Sequence, residues 1–503
     1  PAGSGVDVTA DFLDLGLDSI VALSVVQAVR RRGVALRARL MLDCATVREL
    51  AAAIDSDAAA VERSERADDD QAASGPIPLL PNGRWLYQYG DPRRLAQTEV
   101  FRLPADITRA HLEALLRNVV DGHEVLRTRL DRDAWALVAH PPGPVLSEAT
   151  GSGDLNTAVA EQAERSVQRM DPQNGSMLDA VWLHHPAVEG GLLVLTAHVL
   201  ALDPSSWRIL VGELENAWHA VASGRAPLPV REHTSLRQWS RLLADRAAEL
   251  DTCGFWEQQF EGEDPDIGAR RIDPATDRMA DVTITMSFAD PEVTARLLTG
   301  SVPVTDVLAA ATARALTDWR RHRDQPTPAP LLALETHGRS DAVVSDRDEV
   351  DTGDTAGLLS MIYPLRLTAD DARGVSAQMA AIPGDAIDYG LLRYLREDTA
   401  ERLGAHRDPQ VLLNYLGRIE LDASDHALLQ DRSLQADVTP IPEPNVAVRH
   451  ELTIMAAVID RDGSAVLGTQ WRTLPDILSG DDIAAMQAMW LDALREVLRE
   501  VTT

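Results

Sequence analysis

Apolar positions along this chain follow two periods that alternate from segment to segment. Ile20, Leu23, Val26 and Val29 fall at helical spacing, and Arg30-Arg31-Arg32-Gly33 supplies a stop. A second helix is expected to begin at Thr46, with Glu49 three residues on as a capping box and Val47, Leu50 and Ile54 as its buried stripe. Residues 56–76 carry no apolar period and include the acidic run Asp68-Asp69-Asp70, which reads as a linker, flexible or frayed-helical. From Ile77 onward helix and strand periods alternate. Helices are expected at 108–122 and 155–170, and strands at 134–139, 178–184 and 191–197. After Trp207 an amphipathic helix runs to about Val221, and a Pro-rich break at 226–229 precedes a helical region to about Phe260. A second group starts near 270. It comprises a strand at 281–287, a helix at 291–299, and a helix from Thr305 to Arg321 with Thr305 as its N-cap. A strand pair at 450–460 and 464–472 leads to a final helix at 481–499.

This pattern predicts a small all-α unit and a large α/β unit. The division expected is 1–55, a linker at 56–76, a first lobe at 77–265 and a second lobe at 266–503. At 503 residues the chain is too long for one core, and 45% hydrophobic residues mark it as globular. No apolar run reaches the length of a membrane span, and there is no signal-peptide pattern. Cys44 and Cys253 are too few for a disulfide framework, and no Cys/His cluster has zinc-ligand spacing, so a cytoplasmic location is expected. The net charge of −30 argues against nucleic acid and anionic membranes as partners. Every fixed cation is Arg; the absence of lysine excludes Schiff-base chemistry and a lysine-containing phosphate loop. Because the chain begins at Pro1, it is expected to be part of something longer.

Candidate chemistry begins with Leu15-Gly16-Leu17-Asp18-Ser19, placed at the start of the first helix. The stretch resembles the phosphopantetheine attachment site of carrier domains. The resemblance spans 11–55 and implies a four-helix carrier with 4′-phosphopantetheine on Ser19, installed by a phosphopantetheinyl transferase and bearing an aminoacyl or peptidyl thioester. A helix N-terminus favours the phosphodiester through its free N–H groups and dipole. The plainer reading makes Asp18 or Ser19 an ordinary N-cap. With about ten residues ahead of the motif, the carrier's first helix is expected to be mostly missing.

The large unit carries His198-Val199-Leu200-Ala201-Leu202-Asp203-Pro204 after an apolar strand. This resembles the His-His-x-x-x-Asp-Gly signature of the condensation and epimerization superfamily of nonribosomal peptide synthetases. His198 fills its first position, Val199 replaces the second His that the family uses for chemistry, and Pro204 replaces the Gly. Further motifs in family order are Pro78–Tyr87, His123–Leu130, Glu335-Thr336-His337-Gly338-Arg339, Tyr389–Tyr394 and Asn414-Tyr415-Leu416-Gly417. The resemblance covers about 77–500, is stronger to the epimerization branch, and implies two chloramphenicol-acetyltransferase-like lobes in a V with a tunnel between them.

Val199 has no proton to give or take, so three readings stand. In the first, the large domain does no chemistry and presents the carrier-bound peptide to a trans-acting tailoring enzyme. The X domains of glycopeptide synthetases, which dock cytochrome P450 enzymes, are the model for this, with neighbouring synthetase domains as further partners. In the second, Glu335 removes the α-proton of the thioester and Tyr415 or a water returns it, giving L-to-D epimerization. In the third, the domain forms peptide bonds. His198 and Asp203 are expected to be structural, with Arg339 as the partner of Asp203. His184-His185 read as surface or strand-end residues. Ser205-Ser206 lack a nucleophile elbow, and Cys253 has no neighbouring His.

Overall fold

The computed structural model describes residues 7–9, 12, 25–26, 29, 34, 36, 40–41, 44–64, 75–143, 145–344, 350–369, 371–419, 429–430, 434, 443–461 and 463–501. Ser19 and its motif, and with them the expected four-helix carrier, lie outside these residues. Within them Phe12, Val26, Leu36, Met41 and Leu50 form one small buried cluster. The N-cap at Thr46 forms as expected, but the reciprocal bond of the capping box is shifted by one residue, to Ala45. The Thr46 hydroxyl accepts from the Glu49 amide at 3.2 Å, and the Glu49 carboxylate accepts from the Ala45 amide at 2.9 Å. The helix it starts, Val47–Ser64, runs well into the stretch read as linker.

The large unit is built on two mixed sheets. The first orders its strands β12-β2-β7-β6-β5, where β2 is Ala96–Arg102, β5 Ser147–Thr150, β6 Leu178–His185, β7 Val188–His198 and β12 Leu429–Gln430. A small sheet of β1 (Ile77–Pro78), β4 (Ala136–Ala139) and β3 (Thr128–Asp131) lies beside it in the chain. The central strand β7 is covered on both faces, which is why its sequence is a continuous apolar run. Leu193, Leu195 and Ala197 pack with Leu112, Leu116 and Leu210 of helices Arg109–Gly122 and Pro204–Ala222, whereas Leu192 and Val194 pack with Val159 and Ala163 of helix Leu155–Arg169. Such a strand delivers His198 at its end into fully buried surroundings.

The second sheet orders β10-β9-β11-β13-β14-β8, with β8 Thr283–Phe288, β9 Leu331–Thr336, β10 Met361–Arg366, β11 Val411–Ile419, β13 Leu452–Arg461 and β14 Ser464–Thr473. One face is apolar: Leu332, Leu334, Leu413, Tyr415, Ile454 and Trp471 pack with residues of helices Val304–His322 and Gly480–Val501. The opposite face becomes more exposed toward the edge strand β8, where Ile284, Met286 and Phe288 are exposed.

The lobes interlock rather than part at residue 265. Strand β12, from the second half of the chain, pairs with β2 in the first sheet. Val343, Leu358, Leu359, Ile387 and Leu391 belong to the first lobe's core, and Trp256 of helix Cys253–Gln259 belongs to the second.

Two helix starts differ from expectation. Helix Pro204–Ala222 begins three residues before Trp207, because Asp203 caps it and Pro204 suits the first helical position. Helix Val304–His322 starts after Pro303, which places Thr305 inside the helix instead of at its N-cap. The helical region to Phe260 is two helices, Leu236–Glu249 and Cys253–Gln259, separated by an extended Leu250. No helix among the described residues is long and apolar enough to cross a membrane.

Candidate active site at the lobe junction

His198 closes β7, and both its ring nitrogens are engaged. Nε2 lies 2.8 Å from the Pro92 carbonyl and must donate to it, and Nδ1 accepts from the Leu200 amide at 3.1 Å. Burial lowers its pKa to about 4, so it is a neutral imidazole with a fixed tautomer. It holds loop 88–95 against the strand end and has no site left for substrate. Val199 is half-buried against the first core, and its amide donates to the Leu95 carbonyl at 3.0 Å. The position at which the family carries its chemical His is therefore apolar.

Asp203 is the polar centre of the lobe junction. Arg339 pairs with it through two nitrogens at 2.8 and 2.9 Å, both side chains almost fully buried. The Ser206 amide and hydroxyl donate to Asp203 at 2.8 Å, and the Leu359 amide donates at 3.1 Å. Burial would raise this carboxyl, but the Arg339 guanidinium and the Ser206 bonds hold it below its ordinary value. The Asp203–Arg339 pairing read from sequence is thus present, and it ties the first-lobe helix to the second-lobe loop 351–359. Gly338 makes the Arg339 turn possible: its φ is +66°, and a Cβ there would run into the Leu359 carbonyl oxygen.

A second buried tie supports the same loop. His123 lies between Glu213 at 2.7 Å and Glu232 at 2.8 Å, and Glu232 also accepts from the Ala356 amide at 2.8 Å. Burial alone would lower His123, but the two carboxylates override it and raise its pKa well above the ordinary value.

Glu335 points to the face of β9 opposite the helix-covered core, across from Ile362 of β10. Asn414 on the neighbouring β11 donates to it, and Ser360 also hydrogen-bonds to it. Ser360 in turn accepts from Asn82 of the first-lobe helix Pro81–Tyr87 at 3.1 Å, so the Glu335 network also bridges the lobes. Burial pushes the Glu335 carboxyl up to about 7; the two hydrogen bonds oppose that push, and the charge of Asp203 adds to it. A carboxyl poised there can accept or release a proton near neutrality.

Tyr415 does not join this group. Asn414 and Tyr415 are consecutive on β11, so their side chains leave opposite faces, and Tyr415 is buried in the second core among the residues that Leu413 and Leu334 also contact. Nothing in the local sequence marks Ser360 or Asn82 as members of the site. Asn414 has a legible signal, since alternation along Leu412-Asn414 places it on the Glu335 face. His184 stands half exposed beside Glu148 at 3.2 Å, away from the site, as a strand-end residue should.

A family model for the condensation domain matches residues 83–473, about three quarters of the chain. The chain belongs to the condensation-domain family. A second model, for the phosphopantetheine attachment site, matches residues 2–54, so the condensation-type domain is preceded by a carrier that takes a covalent 4′-phosphopantetheine. Chondramide synthase of Chondromyces crocatus is 28% identical over 83% of this chain, which spans only 11% of that protein. Tyrocidine synthase 1 of Brevibacillus parabrevis is 23% identical over 83% of this chain, which spans 39% of it. The chain thus corresponds to a minor part of the curated relatives it matches. Among solved structures, the epimerization domain from the third module of tyrocidine synthetase B superposes with a TM-score of 0.71 at 17% identity, covering 85% of this chain and 98% of that one. The complex of the X-domain and OxyB from teicoplanin biosynthesis gives a TM-score of 0.61 at 19% identity, covering 85% and 94%. At these identities the structural likenesses show the fold: this condensation-family domain has the two-lobe α/β architecture that its motifs implied.

Proposed function

We propose that this chain is a carrier and condensation-type didomain of a nonribosomal peptide synthetase whose large domain holds the carrier-bound peptide without transforming it. Ser19 bears the phosphopantetheine thioester. The large domain presents the peptide to a trans-acting tailoring enzyme, of which a cytochrome P450 is the leading class. The observation that carries this reading is the pair His198–Val199: the first is locked as a neutral structural imidazole, and the second cannot move a proton. The solved X-domain complex from teicoplanin biosynthesis offers a precedent for a partner protein on this fold. The test is titration of candidate P450 enzymes with the full chain loaded at Ser19 with peptidyl-phosphopantetheine, read by the haem absorbance and by oxidation of the tethered peptide. Saturable binding with turnover supports recruitment; no binding by any candidate overturns it.

A second reading rests on Glu335. Its carboxyl, raised to about 7 and hydrogen-bonded by Asn414 and Ser360, is a competent base. As an epimerase the domain would use Glu335 as base, with Tyr415 or a water returning the proton; the burial of Tyr415 in the second core favours water.

A further inference from the structure

Across the second sheet, one in-register row of side chains runs from Glu335 to the exposed edge. Glu335 lies beside Asn414, Asn414 pairs with Met455, Met455 with Gln470 and Gln470 with Met286. All five leave the face opposite the helix-covered core, because Trp471, Ile454 and Leu413, one residue away on their strands, lie in that core. Two residues along β14 from Gln470, on the same face, stands Arg472, opposite Ile284 of β8.

Arg472, like Arg84, is an arginine whose burial no charge among the described residues offsets. Among the described residues its polar partner is Gln470, whose Oε1 accepts from Nε at 2.6 Å. Burial lowers its pKa, and no carboxylate among the described residues offsets that, in a protein with 78 acidic residues. A half-buried guanidinium without a counter-charge costs stability, and that cost is recovered when an anion arrives with a ligand. Beside it, Ile284, Met286 and Phe288 expose an apolar stripe.

We infer that this face is the lane for the carrier-bound peptide, and that Arg472 binds a carboxylate carried by that peptide. The inference rests on the reading that the domain holds such a peptide. With the thioester carbon set beside Glu335, the proton-competent carboxyl of the site, the strand spacing gives the register. From Glu335 to Arg472 is three strand spacings and two residues along the strand, about 16 Å. An extended chain covers that distance in about four to five residues. The preferred occupant is therefore an oligopeptidyl thioester with apolar side chains over Met286 and Phe288 and an acidic group about four to five residues from the thioester carbon. A single tethered amino acid is too short to reach Arg472.

The test uses the full chain and pantetheine amides of hexapeptides that differ only in Glu or Gln at each position, with affinity read by calorimetry. The Glu peptide is expected to bind about tenfold more tightly than the Gln peptide when the acid sits at the fourth or fifth residue. Arg472→Gln should erase that preference, and Arg472→Lys should keep part of it. A Glu preference that survives Arg472→Gln, or equal binding of both peptides to the unaltered chain, overturns the assignment while the peptide-holding reading stands. Absence of binding by either peptide overturns both.

Discussion

Glu335→Gln should make the protein more stable, and only at high pH. The carboxyl stands at about 7 in the folded chain against an ordinary 4.5. Between those values the native state keeps a proton that the unfolded chain has released. The contribution of this group is therefore fully present below about 4.5 and is lost as pH rises through about 7. At about 1.4 kcal/mol per unit, the ionised Glu335 costs the fold about 3 kcal/mol at pH 8. Gln has the same shape, can still accept from Asn414, and carries no charge at any pH. The variant is expected to exceed the unaltered chain by about 3 kcal/mol at pH 8 and by under about 1 kcal/mol at pH 5. Urea unfolding followed by tryptophan fluorescence at the two pH values measures this. An equal difference at both, or a less stable variant at pH 8, would refute burial as the source of the raised carboxyl.

Three other positions probe the lobe junction. Arg339→Ala leaves Asp203 buried with only the Ser206 and Leu359 donors, and should cost about 3–5 kcal/mol in denaturant unfolding. Arg339→Lys should recover less than half of that, because one ammonium cannot span both carboxylate oxygens. Gly338→Ala combines a left-handed backbone with a Cβ driven into the Leu359 carbonyl, and is expected to abolish soluble expression or cost more than about 2 kcal/mol. His123→Gln removes the bridge between Glu213 and Glu232. Since the folded pKa of His123 is raised, its contribution is full below about 6.5 and is lost as pH rises through the folded value. The stability gap between the unaltered chain and this variant should therefore narrow from pH 6 upward in thermal unfolding scans.

Much of this architecture is legible from local pattern. The Leu192–Leu195 run reads as a strand buried on both faces because no polar residue interrupts it, and both faces are indeed covered. The pairing of Asp203 with Arg339 is what the resemblance of their two motifs to the family signature implies, and the structure forms it. What local pattern does not reveal is which distant segments share a face. Ser360 and Asn82 join the Glu335 network from separate segments, and their own neighbourhoods do not say that they meet it. Tyr415 shows the opposite failure: its motif draws attention, but a one-residue step on β11 turns it into the second core. Likewise, a boundary at 265 is natural for a chain read in order. Strand β12 and the 343–361 segment cross it, since the first sheet takes an edge strand and much of its packing from the second half of the chain.

Proton exchange at the substrate α-carbon tests the central claim most directly. The full chain would be loaded at Ser19 with a peptidyl-phosphopantetheine, incubated in deuterated water, and followed by mass spectrometry. With Val199 in place of the second His and His198 locked, the α-carbon should retain its hydrogen at the rate of the same thioester free in solution. Exchange faster than that background, and lost on Glu335→Gln, would contradict a non-catalytic domain and establish Glu335 as the base of a working epimerase.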